Sequence, residues 1–210
     1  MRMRKKKHGA ERIAACAELL FTDRAEIETF LQNNGGKCEL EIGCGKGDFA
    51  IEASKRTSLP FIAIERSSDV AVVAMEKAKA AECDNLHFVV GNAELLLPEL
   101  FVKGEVDTLY LNFSDPWPKK GYAKRRLTHR KFLAMYRELL PEYGKIVFKT
   151  DNAGLFDFSL EEFTAAGFRL EELCRDLHNS EYNENNIQTE YERNFSAKGF
   201  PIHRVVAYMN

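Results

Sequence analysis

A short apolar run, Lys37-Cys-Glu-Leu-Glu-Ile42, stops against Gly43-Cys-Gly45-Lys-Gly47, and a helix-forming stretch follows at once from Asp48. A strand that turns directly into a helix through three glycines leaves few options. Glycine is demanded where the backbone turns tightly or lets a ligand come close, and such a unit opens an α/β sheet. The same alternation recurs downstream. Strands are predicted at Phe61–Glu65, Leu86–Val90, Val106–Phe113, Lys145–Thr150, Phe168–Cys174 and Ile202–Tyr208, with helices at 68–82, 129–140 and 153–166. Upstream, Ile13, Ala17, Leu20, Phe21, Ile27, Phe30 and Leu31 keep helical spacing over 10–33, with Asp23 as a break. Strands separated by helices predict a mostly parallel sheet covered on both faces. In such sheets ligands bind beyond the carboxyl ends of the strands.

A chain of 210 residues fits one domain, 1–210, with 1–35 as a basic extension with helices. The polar stretch 178–200, beginning His178-Asn-Ser-Glu-Tyr, is either a mobile loop or a substrate-binding one. No run approaches the roughly 18 apolar residues of a membrane span. The basic start resembles a signal n-region, but Glu11, Arg12 and Glu18 interrupt any apolar core behind it. Cys16, Cys38, Cys44, Cys83 and Cys174 are odd in number and form no Cys-x-x-Cys pair. That pattern predicts reduced thiols in a cytoplasmic protein and no metal site.

The formal net charge of −2 conceals an asymmetry. Residues 1–12 carry six Lys/Arg against Glu11, and residues 115–131 carry seven against Asp115, so the remainder is strongly acidic. Basic segments on an acidic body are the footprint of a protein that docks on a polyanion; a merely solvated face is the bland alternative.

The glycine turn has an unusual character for a nucleotide site. Glu41 precedes the first glycine, where it would repel a pyrophosphate, and the third glycine arrives one residue earlier than in the dinucleotide fingerprint. A carboxylate there suits a ligand that brings positive charge, such as the ammonium and sulfonium of S-adenosylmethionine. Glu65, ending the second strand, is placed for ribose hydroxyls, and Asn92-Ala93, ending the third, for adenine. Glu65 and Asn92 are equally capable of capping the helices that follow them.

The second polar concentration is Phe113-Ser-Asp115-Pro-Trp117-Pro-Lys119, followed by Lys124-Arg125-Arg126. Each proline fixes its own φ and disfavours the helical region for the residue before it, so an extended Trp117 is expected. Guanine presents N–H donors along its Watson–Crick edge, and carboxylates accept them. Asp115, Asp151 and the cluster Thr189-Glu190-Tyr191-Glu192 are the candidates. Trp117 is either a stacking platform for a base or a core residue. The segments 2–7 and 119–131 are expected to clamp phosphates without reading sequence.

These residues together resemble the bacterial tRNA (guanine-N7-)-methyltransferase family over essentially the whole chain. The resemblance is carried by Glu41-Ile-Gly-Cys-Gly-Lys-Gly47, Glu65, Phe113-Ser-Asp-Pro-Trp-Pro-Lys119, Lys124-Arg-Arg-Leu127, Thr150-Asp151 and Thr189-Glu-Tyr-Glu192. It implies a Rossmann-like class I S-adenosylmethionine-dependent methyltransferase fold, a mostly parallel seven-stranded sheet with helices on both faces. It implies methylation of N7 of the variable-loop guanine (tRNA position 46), with S-adenosyl-L-methionine as cofactor and tRNA as partner. Glu41, Gly43, Gly45, Glu65, Asn92, Ala93 and Asp115 would line the cofactor site, with Asp115 nearest the chemistry. Lys119, Lys124, Arg125, Arg126, Asp151, Thr189, Glu190, Tyr191 and Glu192 would meet the RNA. Two departures stand out: Asn92 replaces the family's usual Asp, and Gly121-Tyr122 replaces a frequent Arg-His. No obligate protein partner is expected, and monomer and homodimer both stay open. The rivals are a methyltransferase for protein or a small metabolite, an NAD-dependent dehydrogenase, and a non-catalytic RNA-binding protein.

Overall fold

The computed structural model describes residues 8–210, so the basic segment 2–7 lies outside the described residues. Its seven strands belong to one mostly parallel sheet, and the chain divides into two compact units that meet in sequence after Phe101.

The first unit contains α1 (Gly9–Ala14), α2 (Arg24–Asn33), β1 (Cys38–Ile42), α3 (Asp48–Ser54), β2 (Phe61–Glu65), α4 (Ser68–Ala80), β3 (Leu86–Val90) and α5 (Ala93–Leu100). Strands β1 and β3 both run parallel to β2, which lies between them. Leu40, Phe61, Ile62, Ala63, Leu86 and Phe88 are wholly buried, as expected where a parallel strand is covered on both faces. The stretch 10–33 is not one helix broken at a point. After α1 it makes a 3-10 turn at Ala17–Leu19, and Phe21 then donates its amide to Phe88 O on β3 (2.9 Å). Helix α2 then restarts where the Asp23 side chain accepts from Glu26 N at 3.0 Å. Helix α5 was not evident in the sequence because Pro98, inside it, removes a backbone donor.

The second unit contains β4 (Val106–Asn112), α6 (Arg130–Leu139), β5 (Lys145–Thr150), α7 (Ala153–Ala165), β6 (Arg169–Cys174), α8 (Glu190–Ser196) and β7 (His203–Tyr208). Strands β4 and β5 are parallel, while β7 runs antiparallel to both β5 and β6. Strand β4 stops one residue earlier than predicted because Phe113 takes φ +51. Stretch 178–200 is more structured than a loop: it holds 3-10 turns at Leu177–Asn179 and Glu181–Asn183 and then α8.

Candidate active site

In the first unit, the polar features gather at the carboxyl ends of β1, β2 and β3. Glu41 is 1% exposed. The amides of Gly43 and Cys44 donate to Ile64 O (2.7 and 3.2 Å), which ties the turn to the end of β2. Glu65 finishes the tie: its Oε2 accepts from Gly45 N at 3.0 Å and its Oε1 from Ser67 N at 2.8 Å. Gly43, Gly45 and Gly47 have φ of +81, +59 and +81, a region that side-chain-bearing residues avoid. The first two differ from the third in what surrounds them. A Cβ at Gly43 or Gly45 would enter open space, whereas one at Gly47 would sit 2.8 Å from the Ala74 Cβ. Gly47 therefore serves close packing of the turn on α4, and the other two leave an open backbone shelf.

Electrostatics favour a cation on that shelf. The buried thiol of Cys44 is pushed up first by burial and then by the negative charges of Glu41 and Glu65. The carboxylate share of that effect, smaller than burial, is a negative field of the kind that favours a sulfonium or ammonium. An open glycine shelf between two carboxylates thus fits the donor named from the sequence. At the end of β3, Asn92 caps α5 by accepting from Glu94 N (3.2 Å), and Ala93 is buried as its first residue. The capping role is present, and Asn92 is exposed besides.

In the second unit, the turn after β4 presents Asp115 to solvent. Trp117 departs from the extended shape expected before a proline and takes φ +41. Arg126 braces that conformation, donating through Nε to Pro116 O (3.0 Å) and through Nη2 to Trp117 O (3.1 Å). The same guanidinium rests 4.3 Å from the Phe158 ring centroid. Arg126, expected to clamp phosphate, also braces this turn through Nε and Nη2. Lys119, Lys124 and Arg125 are exposed. Trp117 is half-buried and not a core residue; Arg125 lies 4.8 Å from its ring centroid and 4.7 Å from that of Tyr122.

At the end of β5, Asp151 Oδ2 accepts from the Tyr191 hydroxyl (3.1 Å), and burial with the Asp151 charge pushes that phenol up to about 12. Tyr191 also stacks on Phe195 (4.1 Å) and lies 5.1 Å from the Phe113 ring. Thr189 caps α8 by accepting from Glu192 N at 2.9 Å, and Glu190 is half-buried. Glu192 stands apart from the rest of its cluster. It is fully buried, and its Oε2 accepts from Lys149 Nζ at 2.7 Å. A carboxylate enclosed in this way does not face a base arriving from solvent.

A family model described as "Putative methyltransferase" matches residues 36–205. A tRNA (guanine-N(7)-)-methyltransferase of Limosilactobacillus reuteri (strain DSM 20016) is 44% identical over 211 residues, covering 99% of each chain. One of the same name from Lachnoclostridium phytofermentans is 49% identical, covering 86% of this chain and 84% of its own. The chain belongs to the tRNA (guanine-N(7)-)-methyltransferase family. Solved structures agree on the fold alone. The 16S rRNA methyltransferase KamB superposes with a TM-score of 0.65 at 14% identity, covering 90% of this chain and 94% of its own. Precorrin-6y C5,15-methyltransferase from Geobacter metallireducens GS-15 gives 0.57 at 15%, covering 98% and 94%. The class I methyltransferase sheet expected from the sequence is the one observed.

Within that family frame, Lys149 is a residue that the sequence did not single out. Its one signal was a cation directly after the apolar run Ile146-Val-Phe148 and still inside the strand. A charge at such a position is expected to be paired if it is buried.

Proposed function

We propose that this protein transfers the methyl group of S-adenosyl-L-methionine to N7 of the variable-loop guanine of tRNA, giving 7-methylguanosine. The observation that carries the reading is near-full-length identity to tRNA (guanine-N(7)-)-methyltransferases in a chain whose glycine shelf lies between two carboxylates. When bound, the donor supplies an electrophilic methyl group on a sulfonium. Glu65 accepts the ribose hydroxyls, Glu41 sets the negative field at the methionine end, and Asn92 with Ala93 meets the adenine. Gly43 and Gly45 admit the ligand against bare backbone.

N7 of guanine has a lone pair and no proton, so the chain needs no general base. Its task is alignment and stabilisation of the positive charge that grows on the purine. Asp115 supplies that negative field. Lys119, Lys124 and Arg125 hold phosphates, with Arg126 shaping the turn that presents them. Asp151, Thr189, Glu190 and Tyr191 meet the guanine, which leaves its tertiary stacking to reach the site. The protein acts in the cytoplasm as a monomer or homodimer.

The test is to incubate the protein with labelled donor and unmodified tRNA and to map the label. Label at N7 of the variable-loop guanine is expected. Label on another base, or tRNA binding without transfer, would overturn the reading.

A further inference from the structure

We infer that Lys149 is a positioning residue of the substrate site, holding the segment 186–192 in place through a buried charge network; this rests on the proposed role of Asp151 and Thr189–Tyr191. Lys149 is 2% exposed on β5 and Glu192 is fully buried on α8. The ammonium donates to Asn186 Oδ1 (3.0 Å), Ile187 O (2.7 Å) and Glu192 Oε2 (2.7 Å). The other carboxylate oxygen of Glu192 accepts from Asn186 Nδ2 at 2.6 Å and lies 3.2 Å from His178 Nε2. One strand lysine thus gathers a side chain before the helix, a backbone carbonyl and a side chain within it.

Helix α8 gives this network its importance. It has seven residues, well short of the roughly 12 that an isolated helix needs even when alanine-rich. Among the described residues of α8, Glu192 is the one that is buried. Its docking therefore relies on an enclosed ion pair, helped by the stacking of exposed Tyr191 on half-buried Phe195. The neighbour of Glu192, Tyr191, donates to Asp151, two residues after Lys149. The end of β5 holds α8 at two points, one enclosed and one at the surface. The surface tie involves two groups proposed to meet the base, so displacing the enclosed tie moves both.

Glu192 takes a different role on this basis. The sequence Thr189-x-x-Glu192 has the spacing of a capping box, in which the glutamate would turn back to the helix start. Thr189 performs its half, while the glutamate is directed inward to Lys149. Glu192 therefore acts through Lys149 and Asn186, with no direct reading of the base.

The test combines Lys149→Met, Glu192→Gln and their double variant, read by hydrogen exchange, tRNA kinetics and donor affinity. In Lys149→Met, amide exchange over 186–196 should rise about tenfold or more while β7 stays protected, since the broken pair is local. The KM for tRNA should rise about tenfold, with kcat reduced less than about threefold and donor affinity within about twofold. Glu192→Gln should move the same quantities less, and the double variant should be no worse than Lys149→Met, as expected of partners in one network. Unchanged exchange over 186–196, or additive effects in the double variant, would overturn the inference. So would a parallel loss of donor affinity and tRNA KM with protection falling throughout, which marks a general structural role. If Lys149→Met does not fold, Asn186→Ala carries the same readouts, and unchanged exchange and KM there would refute the proposal. The exchange measurement needs no tRNA, so a failure of the proposed methylation is distinguishable from a failure of this inference.

Discussion

The Gly45 amide donates to Glu65 Oε2 at 3.0 Å, so the turn that presents the backbone shelf and the carboxylate assigned to the ribose are one hydrogen-bonded piece. Glu65→Gln removes the charge and keeps one acceptor oxygen, so of the two amides that Glu65 receives, Gly45 N and Ser67 N, one then faces an NH2 group. Donor affinity should fall by about 1.5–3 kcal/mol, the range for hydrogen bonds to a charged group, and the amide left without an acceptor should cost about 1–3 kcal/mol of stability. Isothermal titration with the donor checks this, and wild-type affinity would remove Glu65 from the ribose role.

The three glycines should separate into two classes. Gly45→Ala places a methyl group in open space at φ +59 and should weaken donor binding with a stability loss of about 1 kcal/mol. Gly47→Ala drives a methyl against Ala74 and should cost more stability, about 1–3 kcal/mol of overpacking in addition. Denaturant midpoints measured beside donor affinities distinguish the two; equal effects on both quantities would contradict the division.

Basic residues around Trp117 should not behave alike. Lys124→Ala and Arg125→Ala each ought to reduce the slope of log tRNA affinity against log salt by about 1, as expected when one cation no longer neutralises a phosphate. Arg126→Ala releases the carbonyls of Pro116 and Trp117, so it should lower turnover with the salt slope nearly unchanged. A slope change in Arg126→Ala equal to that of Lys124→Ala would return Arg126 to the phosphate clamp.

Asp115→Asn removes negative charge from an exposed position on the turn after β4. If it stabilises the cationic purine, kcat should fall by about 100-fold, in the range seen when one electrostatic stabiliser is deleted. Single-turnover methylation with donor binding measured in parallel makes the check, and unchanged turnover would exclude the role.

His87 should shape the acid limb of stability. The ring is stacked on Phe21 with centroids 4.4 Å apart, and burial lowers its pKa from 6.5 to about 4. The folded value lies below the unfolded one, so the neutral ring supports stability fully above about pH 6.5 and loses that support as pH falls toward 4. The loss should reach about 2 kcal/mol, allowing for the part of the ring still near water. Urea midpoints between pH 4 and 7 should show a gentler slope in His87→Phe than in the parent chain; an identical slope would rule His87 out.

The parallel core was legible because its information is local. Ile62, Ala63 and Ile64, or Val147 and Phe148, are adjacent apolar residues whose burial follows from a strand covered on both faces. The glycine turn was legible for the same reason, since a backbone that must adopt positive φ at Gly43, Gly45 and Gly47 declares itself in residue type. Helix α5 was concealed by Pro98. Helix α8 was concealed because, in seven mostly polar residues, Tyr191 and Phe195 are the one helically spaced aromatic pair.

The sequence alone determined the alternation of strands and helices, the carboxylates at the ends of β1 and β2, and the cations near Trp117, because each depends on neighbouring residue types. Only the tertiary structure decided which charges face solvent. Lys149 and Glu192 are 43 residues apart and enclose one another, and Arg126 turns onto the carbonyls of Pro116 and Trp117 while Arg125 stays exposed. A charge leaves water only when a partner waits for it, and that partner is supplied by the fold from a distant part of the chain.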